Sequence, residues 1–293
     1  MAGRVQSVLD RAGSLVFPGV YDALSAKMAE RAGFELAFVS GYAVSATSLG
    51  EPDVGLLTQT EVIERARSIC RSVAIPIIVD ADTGYGNPLN VVRTVRELIA
   101  AGAAGCFLED QRWPKRCGHM RDKTVVARDE YLAKIRAAVD AKGGADFFLV
   151  ARTDAIADGG LEEALARAEA ARAAGADATF VEAPRSLDEL TEIGRRAPKP
   201  TVANMIEQGR TPLRPRDELA ALGFQLVLYP LTGLYAAARA LEAVYGSLLA
   251  DGTSAGVADR LIAFERFNRI VGVDEKLARA EAYERATNRP AEI

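Results

Sequence analysis

Eight short apolar runs recur along the 293 residues, and they limit the fold more than any other feature of the chain. They cover residues 15–17, 36–39, 75–79, 106–108, 147–150, 179–181, 201–203 and 226–229. Each is too short for a helix. Runs that are apolar throughout, not alternating, predict parallel strands covered on both faces. The segments between them predict helices: 91–101, 129–141 and 161–174 are rich in strong helix formers. Gly33, Gly102, Gly175 and Gly223 precede the second, fourth, sixth and eighth runs, where glycine is the expected helix C-cap in the left-handed conformation. An eightfold β-then-α alternation in so few residues is most economically a closed (β/α)8 TIM barrel, with a doubly wound open sheet as the alternative. Residues 231–249 predict a helix after the last strand, and 257–293 are charged and helical in pattern. No Pro-, Gly- or Ser-rich linker interrupts the chain, so residues 1–293 read as one barrel domain, with 250–293 a C-terminal helical extension. That tail is expected to pack on the barrel or to be exchanged between subunits.

Catalytic groups of such a barrel gather where the strands end, at their C-terminal face. Six of the eight runs lead directly into polar residues there: Ser40; Asp80 and Asp82; Glu109; Arg152; Glu182; and Asn204. The eighth runs into Pro230. Loops are polar anyway, and that explains one or two of these residues. It does not explain acids on strands three, four and six facing an arginine on strand five. Asp80 and Asp82 are two apart, which on a strand points them the same way. With Glu109 they form a set of hard oxygen donors without histidine, which suits Mg²⁺ or Mn²⁺ and argues against zinc. A structural salt-bridge network is the competing reading.

The fourth run is followed by a loop holding the chain's single His, His119, and single Trp, Trp113. Cys117 stands beside Arg116 and two residues from His119, with Lys115 nearby. Positive neighbours are expected to lower a thiol pKa and to fit it for proton transfer or nucleophilic attack. An acyl-enzyme thiol hydrolase would leave the carboxylate cluster without a task. A thiol acid beside a metal that activates an alcohol uses every part. Cys70 and Cys106 lie in apolar settings and read as buried structural thiols.

Bulk properties exclude several classes. Net charge is −4, which gives no basic field for nucleic acid or an anionic membrane. No apolar stretch nears the ~18 residues of a membrane span, and residues 1–10 lack the apolar core of a signal peptide. Three cysteines fit reduced thiols, so a cytoplasmic protein is the expectation.

These stretches resemble the isocitrate lyase/phosphoenolpyruvate mutase superfamily. The loop Lys115-Arg116-Cys117-Gly118-His119 is similar to the signature of isocitrate and methylisocitrate lyases. Supporting it in order are Asp80-Ala81-Asp82-Thr83-Gly84-Tyr85-Gly86, Phe107-Leu108-Glu109-Asp110-Gln111, Ala151-Arg152-Thr153-Asp154-Ala155 and Ala203-Asn204-Met205-Ile206-Glu207. The chain looks closest to the short lyase branch, with methylisocitrate lyases, 2,3-dimethylmalate lyases and carboxyphosphonoenolpyruvate mutases as kin. The resemblance implies a Mg²⁺-dependent carbon–carbon lyase, with Mn²⁺ able to substitute, acting on a small 2-hydroxy or 2-oxo carboxylate. It implies Asp80 as the principal metal ligand, completed largely through water by Asp53, Asp82 and Glu109. It implies that Ser40, Gly41 and Tyr42 hold the α-carboxylate, and that Arg152, His119, Asn204 and Glu182 order a second one. It places Lys115, Cys117 and Gly118 on a gating loop, with Cys117 as the acid that protonates the departing carbon. It also implies a homo-oligomer, a dimer of dimers.

Two departures bear on the reaction. Phe38 stands where lyases of this kind carry a tyrosine base, leaving Glu109, Glu182 and Tyr42 as candidate bases. Pro230 stands where oxaloacetate hydrolases of the superfamily carry a serine, which favours a lyase. Phosphonate mutase chemistry, oxaloacetate hydrolysis and a catalytically inert barrel serving as a binding module are the alternatives.

Overall fold

The computed structural model describes residues 3–120 and 123–287. Arg121 and the tail from 288 onward lie outside the described residues. Eight parallel strands close into a barrel in sequence order, so the open sheet is excluded. They are β1 (Leu15–Val20), β2 (Ala37–Val39), β3 (Ile77–Asp80), β4 (Gly105–Glu109), β5 (Phe148–Thr153), β6 (Ala178–Val181), β7 (Thr201–Asn204) and β8 (Leu226–Tyr229). Closure is made by β8 on β1, from Leu15 beside Leu226 to Pro18 beside Tyr229. Helices α1 (Arg4–Ala12), α2 (Ala23–Arg31), α3 (Gly41–Ser48), α4 (Gln59–Cys70) and α5 (Pro88–Ala101) accompany the first half. The second half carries α6 (Arg128–Lys142), α7 (Gly160–Ala173), α8 (Leu187–Arg196), α9 (Arg216–Leu222) and α10 (Thr232–Asp251). The described residues divide into two compact units, one ending at Tyr235 and the other beginning at Ala236. The second contains α11 (Phe264–Val271) and α12 (Val273–Thr287). No helix among the described residues is long and apolar enough to cross a membrane.

Within the barrel, side chains alternate between two environments. Cys106, Leu108, Leu149, Ala151 and Val79 pack outward against the helices. Their neighbours turn inward and stack in layers. One layer comes from the odd strands: Phe17, Ile78, Val150 and Val202. The next, nearer the strand C-termini, comes from the even strands: Phe38, Phe107, Phe180 and Leu228. Four side chains per layer from alternate strands is the usual way such a barrel fills itself. Burying each contributes about 1.5–3 kcal/mol. Three aromatics of the upper layer lock together, Phe38 on Phe107 at 4.7 Å between centroids and Phe107 on Phe180 at 5.5 Å. Val5, Val8 and Leu9, spaced along one face of α1, join the same inner cluster.

The predicted glycine stops are real. Gly33, Gly102, Gly175 and Gly223 all have positive φ, from +93° to +107°. Helix α5 shows both ends of the logic. Asn87 accepts the N–H groups of Leu89 at 2.9 Å and Asn90 at 3.3 Å, and Pro88 needs no partner at the first position. Its last carbonyls, of Leu98 and Ile99, accept from Gly102 at φ +94°.

A Cβ at Gly102 would meet only Cys70 Cβ, at 3.5 Å, an ordinary contact. Gly102→Ala should therefore lose about 1–2 kcal/mol from the left-handed backbone alone. Gly105→Ala should lose more, because its Cβ would lie 2.2 Å from the Phe148 carbonyl oxygen. Urea denaturation of both variants measures this, and an unchanged Gly102 variant contradicts the capping account.

Candidate active site

Side chains two apart on a strand share a face, so each inner apolar residue predicts the group above it. Ile78, Val150 and Val202 lead to Asp80, Arg152 and Asn204. Phe38, Phe107, Phe180 and Leu228 lead to Ser40, Glu109, Glu182 and Pro230. The apolar layers thus form a floor on which the polar groups stand. On β1 the corresponding residue is Gly19, where a Cβ would fall 1.9 Å from the Pro230 carbonyl oxygen. Only glycine fits there.

Arg152 anchors the polar tier. Its guanidinium lies 5.4 Å from the Phe180 ring centroid. Nε and Nη2 donate to the two oxygens of Asp154 at 2.9 and 3.2 Å. Nη1 is 3.2 Å from Glu109 Oε2, and Nη2 is 3.9 Å from Glu182 Oε1. Burial opposes the charge, but Asp154, Glu109 and Glu182 outweigh it and hold Arg152 well above the usual guanidinium range. Tyr131 of α6 donates to the Arg152 carbonyl at 2.8 Å. Asp110 accepts from the Asp154 N–H at 2.8 Å, from Thr153 Oγ1 at 2.7 Å and from Arg167 at 3.1 Å. The arginine is therefore fixed from beneath and behind.

On the other side stand the acids. The paired-face expectation for Asp80 and Asp82 fails, because β3 ends at Asp80 and the chain turns, with Asp82 at φ +47°. Asp82 instead donates its N–H to Asp80 Oδ1 at 3.2 Å and accepts the Tyr85 hydroxyl at 3.0 Å. Lys115 Nζ sits between two carboxylates, 2.6 Å from Asp53 Oδ1 and 2.6 Å from Asp82 Oδ1. Burial lowers its pKa, yet Asp82 and Asp53 prevail and keep it charged. Among the described residues no three metal-binding groups converge into an all-protein cage. Mg²⁺ needs no such cage, since it keeps several waters and takes one or two carboxylates. The donors are hard oxygens, and Glu109 Oε1 is buried with no hydrogen-bond partner. These residues fit a hydrated divalent cation.

The thiol loop closes over this tier. Gln111 braces it, donating from Nε2 to the Arg116 carbonyl at 2.8 Å and accepting the Arg116 N–H at 3.0 Å. Cys117 donates its N–H to the Asp53 carbonyl at 3.1 Å. Its thiol is pushed up to about 11, by burial first and by Asp53 second. That corrects the expectation of a lowered value: the Lys115 ammonium faces Asp53 and Asp82 instead of the sulfur. A thiol protonated at neutral pH is placed to give a proton, not to attack. His119 accepts the Arg210 N–H at Nδ1, 2.9 Å away, so its proton is on Nε2, 3.5 Å from Glu182 Oε1. Burial lowers its pKa and keeps it neutral. Asn204 Nδ2 donates to both Glu182 oxygens at 3.2 Å.

A cavity of about 40 Å³ remains, room for about three waters. Ser40, Asp53, Asp80, Arg152, Glu182 and Asn204 form its polar side, and Phe38, Ile206, Pro230 and Leu231 its apolar side. Tyr42, Cys117 and Gly118 also line it. Ser40 caps α3, accepting the Ala43 N–H at 3.3 Å, so the positive end of that helix faces the cavity, as an anion requires. Gly41 packs so closely that a Cβ would lie 3.0 Å from Asp80 Oδ2. Lys115 and Asp82 stand one contact behind Asp53, and Glu109 behind Arg152. His119 stands behind Glu182. Sequence reasoning quoted Gln111 and Asp154 within motifs but gave them no role, and it passed over Lys123 and the aromatic floor. Strand alternation would have revealed the floor.

A closed barrel with this mouth is the framework of the phosphoenolpyruvate mutase/isocitrate lyase enzymes. The chain belongs to that group: residues 6–249 match the family described as phosphoenolpyruvate phosphomutase. It is 54% identical over 275 residues to a chloroplastic carboxyvinyl-carboxyphosphonate phosphorylmutase of Arabidopsis thaliana, covering 92% of this chain and 81% of that protein. It is 44% identical over 274 residues to 2,3-dimethylmalate lyase of Eubacterium barkeri, covering 94% and 95%. Its fold superposes on a solved oxaloacetate acetylhydrolase bound to 3,3-difluorooxalacetate, with a TM-score of 0.90 and 36% identity over 96% of each chain.

At Gly118 a Cβ would fall 1.9 Å from Glu182 Oε1 and 2.6 Å from Arg152 Nη2. Gly118→Ala should keep its melting temperature but lose about a hundredfold or more in turnover, as expected when the reacting groups are displaced. A fully active alanine variant contradicts the seated position of the loop.

Proposed function

We propose that this enzyme is a Mg²⁺-dependent carbon–carbon lyase. It splits a small 2-hydroxy di- or tricarboxylate, of the 2-alkylmalate or 2-methylisocitrate type, into a 2-oxoacid and a carboxylate. The observation that carries this reading is the protonated Cys117 thiol at a cavity with one polar and one apolar side. Bound metal supplies positive charge that makes the substrate's 2-hydroxyl more acidic. Asp80 would hold it directly, with Asp53, Asp82 and Glu109 around it through water. The N-terminus of α3, at Ser40, Gly41 and Tyr42, receives the carboxylate beside that hydroxyl. Arg152 receives the second carboxylate, with Asn204 and His119 held in place by Glu182. As the bond breaks, its electron pair passes to the carbon next to that second carboxylate, and Cys117 protonates this carbon. Arg152 stabilises the charge as it grows. Phe38 cannot take the hydroxyl proton. Of the three candidates, Glu182 and Tyr42 line the cavity, whereas Glu109 stands behind Arg152.

Ile206, Pro230 and Leu231 offer an alkyl branch an apolar wall. The same wall disfavours oxaloacetate hydrolysis, because Pro230 gives the hydrated ketone neither a hydroxyl nor an N–H. An unpartnered hydroxyl there costs about 1–3 kcal/mol. Phosphonate rearrangement is the second reading, favoured by the 54% identity to the phosphorylmutase. A panel of 2-methylisocitrate, 2,3-dimethylmalate, oxaloacetate and phosphonopyruvate with Mg²⁺ decides among them. One of the first two should be fastest, and oxaloacetate at least about tenfold slower. Cys117→Ser should lower lyase turnover ~10²–10⁴-fold. Phosphonopyruvate or oxaloacetate as the best substrate overturns the lyase reading.

Asp80 is pushed up to about 6, by burial first and Asp82 second. In the metal-free protein its carboxyl is neutral below that pH, and the metal needs the carboxylate. Mg²⁺ affinity should therefore fall about tenfold per pH unit below 6 and level off above 7. Calorimetric titration from pH 5 to 8 checks this, and binding that tightens on acidification contradicts it.

A homo-oligomer, a dimer of dimers, is proposed on exposed apolar surface. The barrel carries a groove of about 590 Å³ lined by Val16, Tyr21, Leu24, Met28 and Phe34. Helix α10 buries none of its residues, and Leu241, Tyr245, Leu248 and Leu249 are exposed on it. Sedimentation equilibrium should give a tetramer, and Leu241→Glu with Leu248→Glu should break it down. A monomeric wild type sinks the proposal.

A further inference from the structure

We infer that Lys123 is a positioning residue that latches the thiol loop shut and ties it to the arginine that receives substrate. This deepens the lyase reading, since it rests on Cys117 and Arg152 having the roles proposed above. Lys123 sits just beyond the loop, and its side chain is 1% exposed. A buried ammonium carries a large desolvation penalty, offset only when its partners are charged and well placed. Lys123 Nζ has two partners. It donates to Asp154 Oδ1 at 2.5 Å and to the carbonyl oxygen of Gly118.

Each partner belongs to the mouth. Asp154 is the carboxylate that grips Arg152 through both oxygens, and its Oδ1 is shared between the two cations. Burial would raise its pKa, but Arg152 and Lys123 outweigh that and hold it far below the usual carboxylate range. It is a permanent anion. Asp154 is itself fixed, because its N–H donates to Asp110 at 2.8 Å and Asp110 is held by Arg167 at 3.1 Å. Gly118 is a loop residue whose backbone packs against Glu182 and Arg152, where a Cβ would fall 1.9 and 2.6 Å from their side chains. One ammonium therefore joins a rigid anion under Arg152 to the loop backbone beside Cys117.

A lysine that only stabilised the barrel would have no reason to spend a donor on a loop carbonyl. The Gly118 carbonyl leaves its partner when the loop lifts, whereas Asp154 stays. Removing the charge should thus free the loop before it disturbs the barrel.

The test uses the whole unliganded protein and follows iodoacetamide labelling of Cys117 and Cys70 by mass spectrometry. Cys70 is half-buried on α4 and serves as the internal reference. Lys123→Met should label Cys117 about tenfold faster or more, with Cys70 unchanged, as local opening predicts. Lys123→Arg keeps the charge and should restore most of the protection. Should Lys123→Met not fold, Lys123→Gln provides the same comparison. An unchanged Cys117 rate overturns the latch. So do equal rises at both thiols, which mean general loosening, and an arginine variant as reactive as the methionine one. Labelling requires neither substrate nor metal, so the latch and the lyase reading can fail separately.

Discussion

Arg152 brings the charges of three strand ends into one buried arrangement, and the mouth of the barrel depends on it. Its planar group contacts Asp154, Glu109 and Glu182 while resting on the Phe180 ring. Without it those carboxylates would face one another in a space that holds few waters, where like charges repel strongly. The orientation is equally constrained, since a guanidinium presents its donors in a fixed fork. Lysine could neutralise the site but could not occupy three directions at once.

The floor beneath it explains why a polar tier can stand inside a barrel. Phe38, Phe107 and Phe180 fill the interior below the site, so water reaches the charged groups from one side only. Phe38 belongs to that floor, and a hydroxyl there would have to find a partner above the stacked rings. The loop completes the enclosure. By lying against Asp53 and Glu182, it holds Cys117 in surroundings that keep the thiol protonated. Such a group can serve as an acid without first being charged.

Much of this was legible in the chain. Strand β8 keeps the limits its apolar run set, and the four left-handed glycines stand where the punctuation placed them. Parallel strands covered on both faces leave that signature because every residue is apolar. Spacing failed where the strand stopped: Asp82 is two residues from Asp80 but already in the turn. Adjacency failed in the loop, because the Lys115 ammonium reaches Asp53, 62 residues away, and leaves its neighbour Cys117 without the expected positive field. Lys123 and Asp154 meet across 31 residues, and a lone Lys and a lone Asp carry no mark of that meeting. Closed folds bring together partners that no local pattern records.

The central claim is that Cys117 delivers a proton to carbon after a carbon–carbon bond breaks. Cleavage of 2,3-dimethylmalate with Mg²⁺ in deuterium oxide, read by NMR of the products, tests it most directly. The account predicts pyruvate and propionate, with one solvent deuterium at C2 of the propionate, and loss of both products in Cys117→Ser. Propionate without deuterium at C2, or the same labelled products from the serine variant at an undiminished rate, would contradict it.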